Sequence, residues 1–110
     1  MLTLWVTHYF ADFIFQNRWM ADNKSKNLLA LTVHVWVYSF TVLLVTSYMG
    51  VDKLVDKWLA TMLLHWITDF LTSKCTRYFW YTLGNRYLFF GMIGLDQLIH
   101  FICLKLTYGI

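Results

Sequence analysis

The sequence has no proline and no glutamate, two cysteines, and only 14% charged residues against 59% hydrophobic ones. A soluble domain carries roughly 25% charge and roughly 45–50% apolar residues. A water-soluble globule of 110 residues built from this composition could not cover itself with polar surface. Disorder is excluded as well, because the chain is far too apolar. The scarce cysteines, Cys75 and Cys103, form no CxxC pair, so neither a disulfide framework nor a zinc knuckle follows, and Cys103 reads as core. With no glutamate, the six aspartates are the only acidic side chains, and nine Lys and Arg leave a net charge of +3. That is too little for nucleic acid, and the cations are not interleaved as a nucleic-acid surface requires.

What is present points to a bilayer. Aromatics reach 20% and mean hydropathy is +0.52. Four apolar segments are read, at about 2–16, 28–49, 58–73 and 87–106. The second and fourth have the roughly 20 residues that a spanning helix needs. The first and third are shorter and carry Asp, which a small bundle can shield from lipid. The expected fold is all-α, a four-helix transmembrane bundle forming a single integral-membrane domain over 1–110. The opening residues have no basic region and no cleavage site, so the first segment is expected to remain. Arg18, Lys24, Lys26, Lys74, Arg77 and Arg86 fall on one side, called side B; Lys53, Lys57 and Lys105 fall on side A. The positive-inside rule then predicts side B in the cytoplasm and both termini outside, which in a bacterium would make an inner-membrane protein with periplasmic termini. Trp58, Tyr48 and Tyr108 are expected to form the aromatic belt at side A, and Trp19, Trp80, Tyr81 and Tyr87 the belt at side B. Gly91 and Gly94 are expected to permit close approach of the last helix.

Each segment holds one histidine, and three of the four have an aspartate four residues away: His8 with Asp12, His65 with Asp69 and, reversed, Asp96 with His100. A spacing of four puts both side chains on one helix face, about 6 Å apart along the axis. The reversal falls on an antiparallel helix, so the three histidines share one layer and the three aspartates the next. Counting inward from the segment ends sets His34 and Gln16 nearer side B. Ionisable groups within a membrane are costly and functional by default. Three clustered aspartates cannot all ionise without cations. A divalent ion answers this, and the His/Asp set suits Zn, Mn or Fe. His8, Asp12, His65, Asp69, Asp96 and His100 are therefore candidate metal ligands, or the aspartates orient the histidines from behind. A lone His such as His34 is otherwise a hydrogen-bonded core residue, and one His–Asp pair can serve only to glue helices.

The stretch His8-Tyr-Phe-Ala-Asp12-Phe-Ile-Phe-Gln16, followed by Trp19-Met20 and Asn23-Lys24, then His65-x-x-x-Asp69 and Asp96-Gln97-x-x-His100, resembles the bacterial and phage family catalogued as domain of unknown function 3307. The resemblance covers nearly the whole chain. It implies a small integral-membrane protein, and that Gln16, Lys24 and Gln97 belong to the functional set; it supplies no reaction. The family has a further His soon after the one matching His34, where this chain has Val37-Tyr38.

Several functions fit. The first is a metal-dependent hydrolase of a lipid or lipid-linked phosphate, with Asp69, His34 and Gln16 as catalytic candidates and Lys24, Arg18, Lys74 and Gln97 as substrate-binding candidates. The second is a proton or metal-ion conduit using the same cluster, expected as a homo-oligomer. A dihaem cytochrome would also place one His per helix, though not with an Asp beside three of them. A small phage membrane protein without catalysis would need no His–Asp matching.

Overall fold

The computed structural model describes residues 2–14, 18–24 and 26–109, apart from the side chains of Phe13, Arg18, Ala21 and Asp22. Among these residues the fold is all-helical. Helix α1 (Leu2–Tyr9) runs on into a π turn at Phe10–Ile14, and a short α2 (Arg18–Asn23) follows. Then come α3 (Leu28–Tyr48), α4 (Leu54–Arg77) ending in a second π turn at Tyr78–Thr82, and α5 (Arg86–Tyr108).

The helix ends follow from local chemistry. Asn27 Oδ1 accepts from the Leu29 N–H at 2.9 Å and starts α3; Asn85 Oδ1 accepts from the Leu88 N–H at 3.1 Å and starts α5. Such a cap contributes about 1 kcal/mol over alanine. Gly109, with φ of 70°, closes α5 in the left-handed conformation that glycine alone adopts without strain. Helix α4 is longer than the 58–73 expected from hydropathy. Its extra turns are polar: Asp56 lies in the first turn, Lys74 and Arg77 in the last, each matched to the helix dipole. Helix α2 lies in a stretch expected to be loop.

Neighbouring long helices are antiparallel. His8 meets Tyr38 and Asp12 meets His34 between α1 and α3, while Thr61 meets Tyr108 and Thr72 meets Asp96 between α4 and α5. Helix α4 packs along both α3 and α5. The molecule measures 45 × 25 × 20 Å. Its interior is the reverse of a soluble core. Among the described residues ten buried side chains are apolar and fourteen are polar or charged, while Trp5, Leu44, Leu63, Ile67, Phe90 and Leu98 are exposed. The small apolar cluster of Leu4, Ala11, Tyr38, Val42, Leu104 and Tyr108 is concentrated toward side A. Helices α3 and α5 are long and apolar enough to cross a membrane.

Two expectations about surface residues are overturned. A Cβ at Gly91 or Gly94 would meet nothing within 4 Å, because both lie away from the face that carries Asp96 and His100 and approach no other helix. Tyr108 does not join an outer belt: it is buried, with its hydroxyl 2.9 Å from Thr61 Oγ1. Trp58 is half-buried against the exposed rings of Trp36 and Phe40, and Tyr48, Trp19, Trp80, Tyr81 and Tyr87 are exposed.

Candidate metal centre

Two polar layers cross the bundle. The layer nearer side A holds His8, Tyr38, His65 and His100. His65 is stacked between Tyr38, at 3.8 Å and 13°, and His100, at 4.2 Å and 26°. The Tyr38 hydroxyl is 2.7 Å from His8 Nδ1, and Gln97 Oε1 is 2.7 Å from His8 Nε2. Gln97 Nε2 donates to Asp12 Oδ2 at 3.2 Å and to Asp96 Oδ2 at 3.1 Å. Two carboxylates at the amide nitrogen orient the amide, so its oxygen can only accept. His8 therefore donates from Nε2 and accepts the Tyr38 hydroxyl proton at Nδ1. Both ring nitrogens are committed, and His8 stands outside the convergent ligand groups as a positioning residue.

The second layer holds Asp12, His34, Asp69 and Asp96. His34 Nε2 lies 3.0 Å from both Asp12 Oδ1 and Asp69 Oδ2, and 3.2 Å from His65 Nε2. His65 Nε2 is 3.6 Å from each of the same two oxygens. One N–H cannot serve three neighbours, and Asp12 Oδ1, though buried, has no hydrogen-bond partner. Ligands held tetrahedrally at about 2.0–2.1 Å from a metal are separated by about 3.3–3.4 Å from one another. Five of the six separations are 3.0–3.6 Å, scattered around that value, and all ligand atoms of the group lie within 4.8 Å of one another, so the group could hold a single small cation. Two imidazoles and two carboxylates suit Zn²⁺, Mn²⁺ or Fe²⁺. Asp12, Asp96 and His100 form a second convergent group. His100 Nε2 is 3.2 Å from Asp96 Oδ1 and 3.2 Å from Asp69 Oδ1, and Thr72 donates its hydroxyl to Asp96 Oδ1.

Lys24, between α2 and α3, reaches this layer from side B. Its Nζ is 3.4 Å from Asp69 Oδ2, and its side chain is 21% exposed. Burial works against its charge, but Asp69, then Asp12 and Asp96, outweigh it and hold the ammonium above the ordinary lysine range. Lys74 is not brought to the centre; its Nζ lies 4.8 Å over the Phe70 ring. Gln16 lies outside the described residues, as does the side chain of Arg18.

His34 sits beside the aspartates and not nearer side B. Counting inward from helix ends assumes flush ends, but α3 extends past α1 on side A, so Tyr38 is level with His8 and His34 with Asp12. Tyr38, hydrogen-bonded to His8 and stacked on His65, is the residue of this centre that the sequence reading missed. Its signal was there: Tyr38 is four residues from His34, the spacing of the three His–Asp pairs. Thr72, one turn beyond Thr68, carried no such signal.

The fold and site thus define a small all-helical protein with a buried His/Asp centre. The family described as protein of unknown function DUF3307 matches residues 1–109, and the chain belongs to it. No curated protein and no solved structure matches the chain.

Proposed function

We propose that this chain is an integral-membrane metal protein that hydrolyses a lipid or lipid-linked phosphate. The observation that carries the reading is the convergence of His34 Nε2, His65 Nε2, Asp12 Oδ1 and Asp69 Oδ2 in one buried place. The membrane assignment is supported by the inverted distribution of polarity and by a long dimension of 45 Å, enough to cross a hydrocarbon core of about 30 Å. Burying three carboxylates in lipid without cations would cost several kcal/mol each.

A divalent ion here would polarise a phosphoryl oxygen and acidify a water. Asp69 would help hold the ion and would take the water's proton on its carboxylate, beside His100 Nε2 at 3.2 Å from Oδ1. The water oxygen bonds to phosphorus, the bond from phosphorus to the leaving alcohol breaks, and that alcohol takes the proton back. Lys24, partly exposed at the side B face of the centre, holds the anionic head group. Gln97 and His8 keep Asp12 in place. The cation-rich side B is cytoplasmic in this reading.

The test is elemental mass spectrometry on detergent-purified protein, with phosphate release from phosphatidic acid measured alongside. The expected result is bound Zn, Mn or Fe, and turnover lost in Asp69→Ala. Metal-free, folded protein would overturn the reading. A second reading, ion conduction, draws on the hydrogen-bonded line Tyr38–His8–Gln97–Asp12; ion flux in liposomes without phosphate release would select it.

A further inference from the structure

The second convergent group, Asp12, Asp96 and His100, raises a question of charge. Three buried carboxylates, Asp12, Asp69 and Asp96, carry three negative charges into one layer. The ammonium of Lys24 stands 3.4 Å from Asp69 and supplies one positive charge. A divalent ion among His34, His65, Asp12 and Asp69 supplies two more, so with neutral imidazoles the layer is balanced. A second divalent ion would leave two uncompensated positive charges in a buried place, which is prohibitive.

The geometry nevertheless offers that second position. Asp12 belongs to both groups, and the donor atoms of Asp12, Asp96 and His100 lie within 4.8 Å of one another. His100 Nε2 and Asp96 Oδ1 are already 3.2 Å apart. One carboxylate shared between two ligand groups is the arrangement of two-metal phosphoester sites, whose ions stand about 3.5–4 Å apart.

Resting on the metal reading above, we propose that Asp12, Asp96 and His100 form a second divalent-cation position that fills only together with a phosphate dianion. The dianion would cancel the two excess charges, and the Lys24 ammonium, 3.4 Å from Asp69, would face it from side B. A lipid phosphate monoester and free phosphate both have this charge when doubly ionised; a neutral head group does not. The second ion is thus a partner of the substrate and not a resident of the resting protein.

The test is Mn²⁺ stoichiometry by equilibrium dialysis, with electron paramagnetic resonance to detect coupled ion pairs. Protein in detergent is loaded with MnCl₂ alone, with MnCl₂ and inorganic phosphate, and with MnCl₂ and phosphatidic acid micelles. One Mn²⁺ per chain is expected alone, and two, with a coupled signal, when a dianion is present. A response to phosphatidic acid only identifies the lipid as the source; a response to inorganic phosphate shows that the free ion suffices. His100→Gln, which leaves the charge unchanged, is expected to stay at one Mn²⁺ in all arms, with Asp96→Asn as the second variant should the first not fold. Two ions without any dianion, or one ion in every arm, would overturn the proposal while leaving the metal reading intact. No bound Mn²⁺ in any arm would sink both, and is told apart by the count itself.

Discussion

Replacing Asp69 by asparagine keeps the side-chain volume and removes one charge from the most connected carboxylate of the centre. In the wild type, Oδ2 lies 3.0 Å from His34 Nε2 and 3.4 Å from Lys24 Nζ, and Oδ1 lies 3.2 Å from His100 Nε2. The substitution strips these contacts of their ionic component and leaves Lys24 facing an amide. Removing one partner of a buried ionic cluster costs about 3–5 kcal/mol. At about 1.4 kcal/mol per tenfold, that weakens metal binding roughly 100- to 4,000-fold. The assay is competition for Mn²⁺ or Zn²⁺ against a chromophoric chelator in detergent, with helicity checked by circular dichroism. Asp52→Asn, in an exposed position between α3 and α4, removes the same formal charge far from the cluster and is expected to change affinity less than twofold. An Asp69→Asn protein that binds within threefold of wild type, or an Asp52→Asn protein that weakens equally, would refute the reasoning, because neither local coordination nor local charge would then be at work.

Three further outcomes are expected. Tyr38→Phe strands the Nδ1 atom of His8, which the hydroxyl meets at 2.7 Å; an unpaired buried group costs about 1–3 kcal/mol, so denaturant unfolding shifts by that amount while metal stoichiometry holds, and lost metal at unchanged stability would contradict the positioning role. Charge balance without metal requires two protonated imidazoles beside Lys24, so the first divalent ion bound releases about two protons and its affinity climbs as pH rises; a pH-independent affinity would show that the carboxylates are neutralised otherwise. Cys75 is exposed and Cys103 half-buried; with side B in the cytoplasm, an impermeant maleimide reaches Cys75 only in opened cells, and labelling of intact cells would invert the topology.

The outline of the centre was legible because helical spacing is rigid. His8 with Asp12, His65 with Asp69 and Asp96 with His100 needed only a period of 3.6 residues to fall on one face. The offsets between helices were not legible, since they depend on how far each end projects. His34 therefore appeared a layer away from the aspartates it touches, and Tyr38 went unnoticed. The polar turns of α4 were hidden for a related reason: hydropathy marks the apolar middle of a helix, while dipole-matched charges carry it further at both ends. The π turn around Asp12 has no signature in composition, and such turns occur often at functional sites. The belt assignment failed at Tyr108 because an aromatic near a helix end can turn either way, and only packing partners decide it.

The shared carboxylate lies in the π turn that follows α1, and its amide partner in α5. His8 and Gln97 are bonded across 89 residues of sequence, and Asp12 and Gln97 across 85. Asp12 is thus synthesised before its partners in α3, α4 and α5, and α3 and α4 supply His34, His65 and Asp69 but not the clamp that orients it. Assembly of the second position thus depends on α5: a product truncated ahead of it keeps all four residues of the first ligand group, loses Asp96 and His100, and leaves Asp12 without its amide donor Gln97.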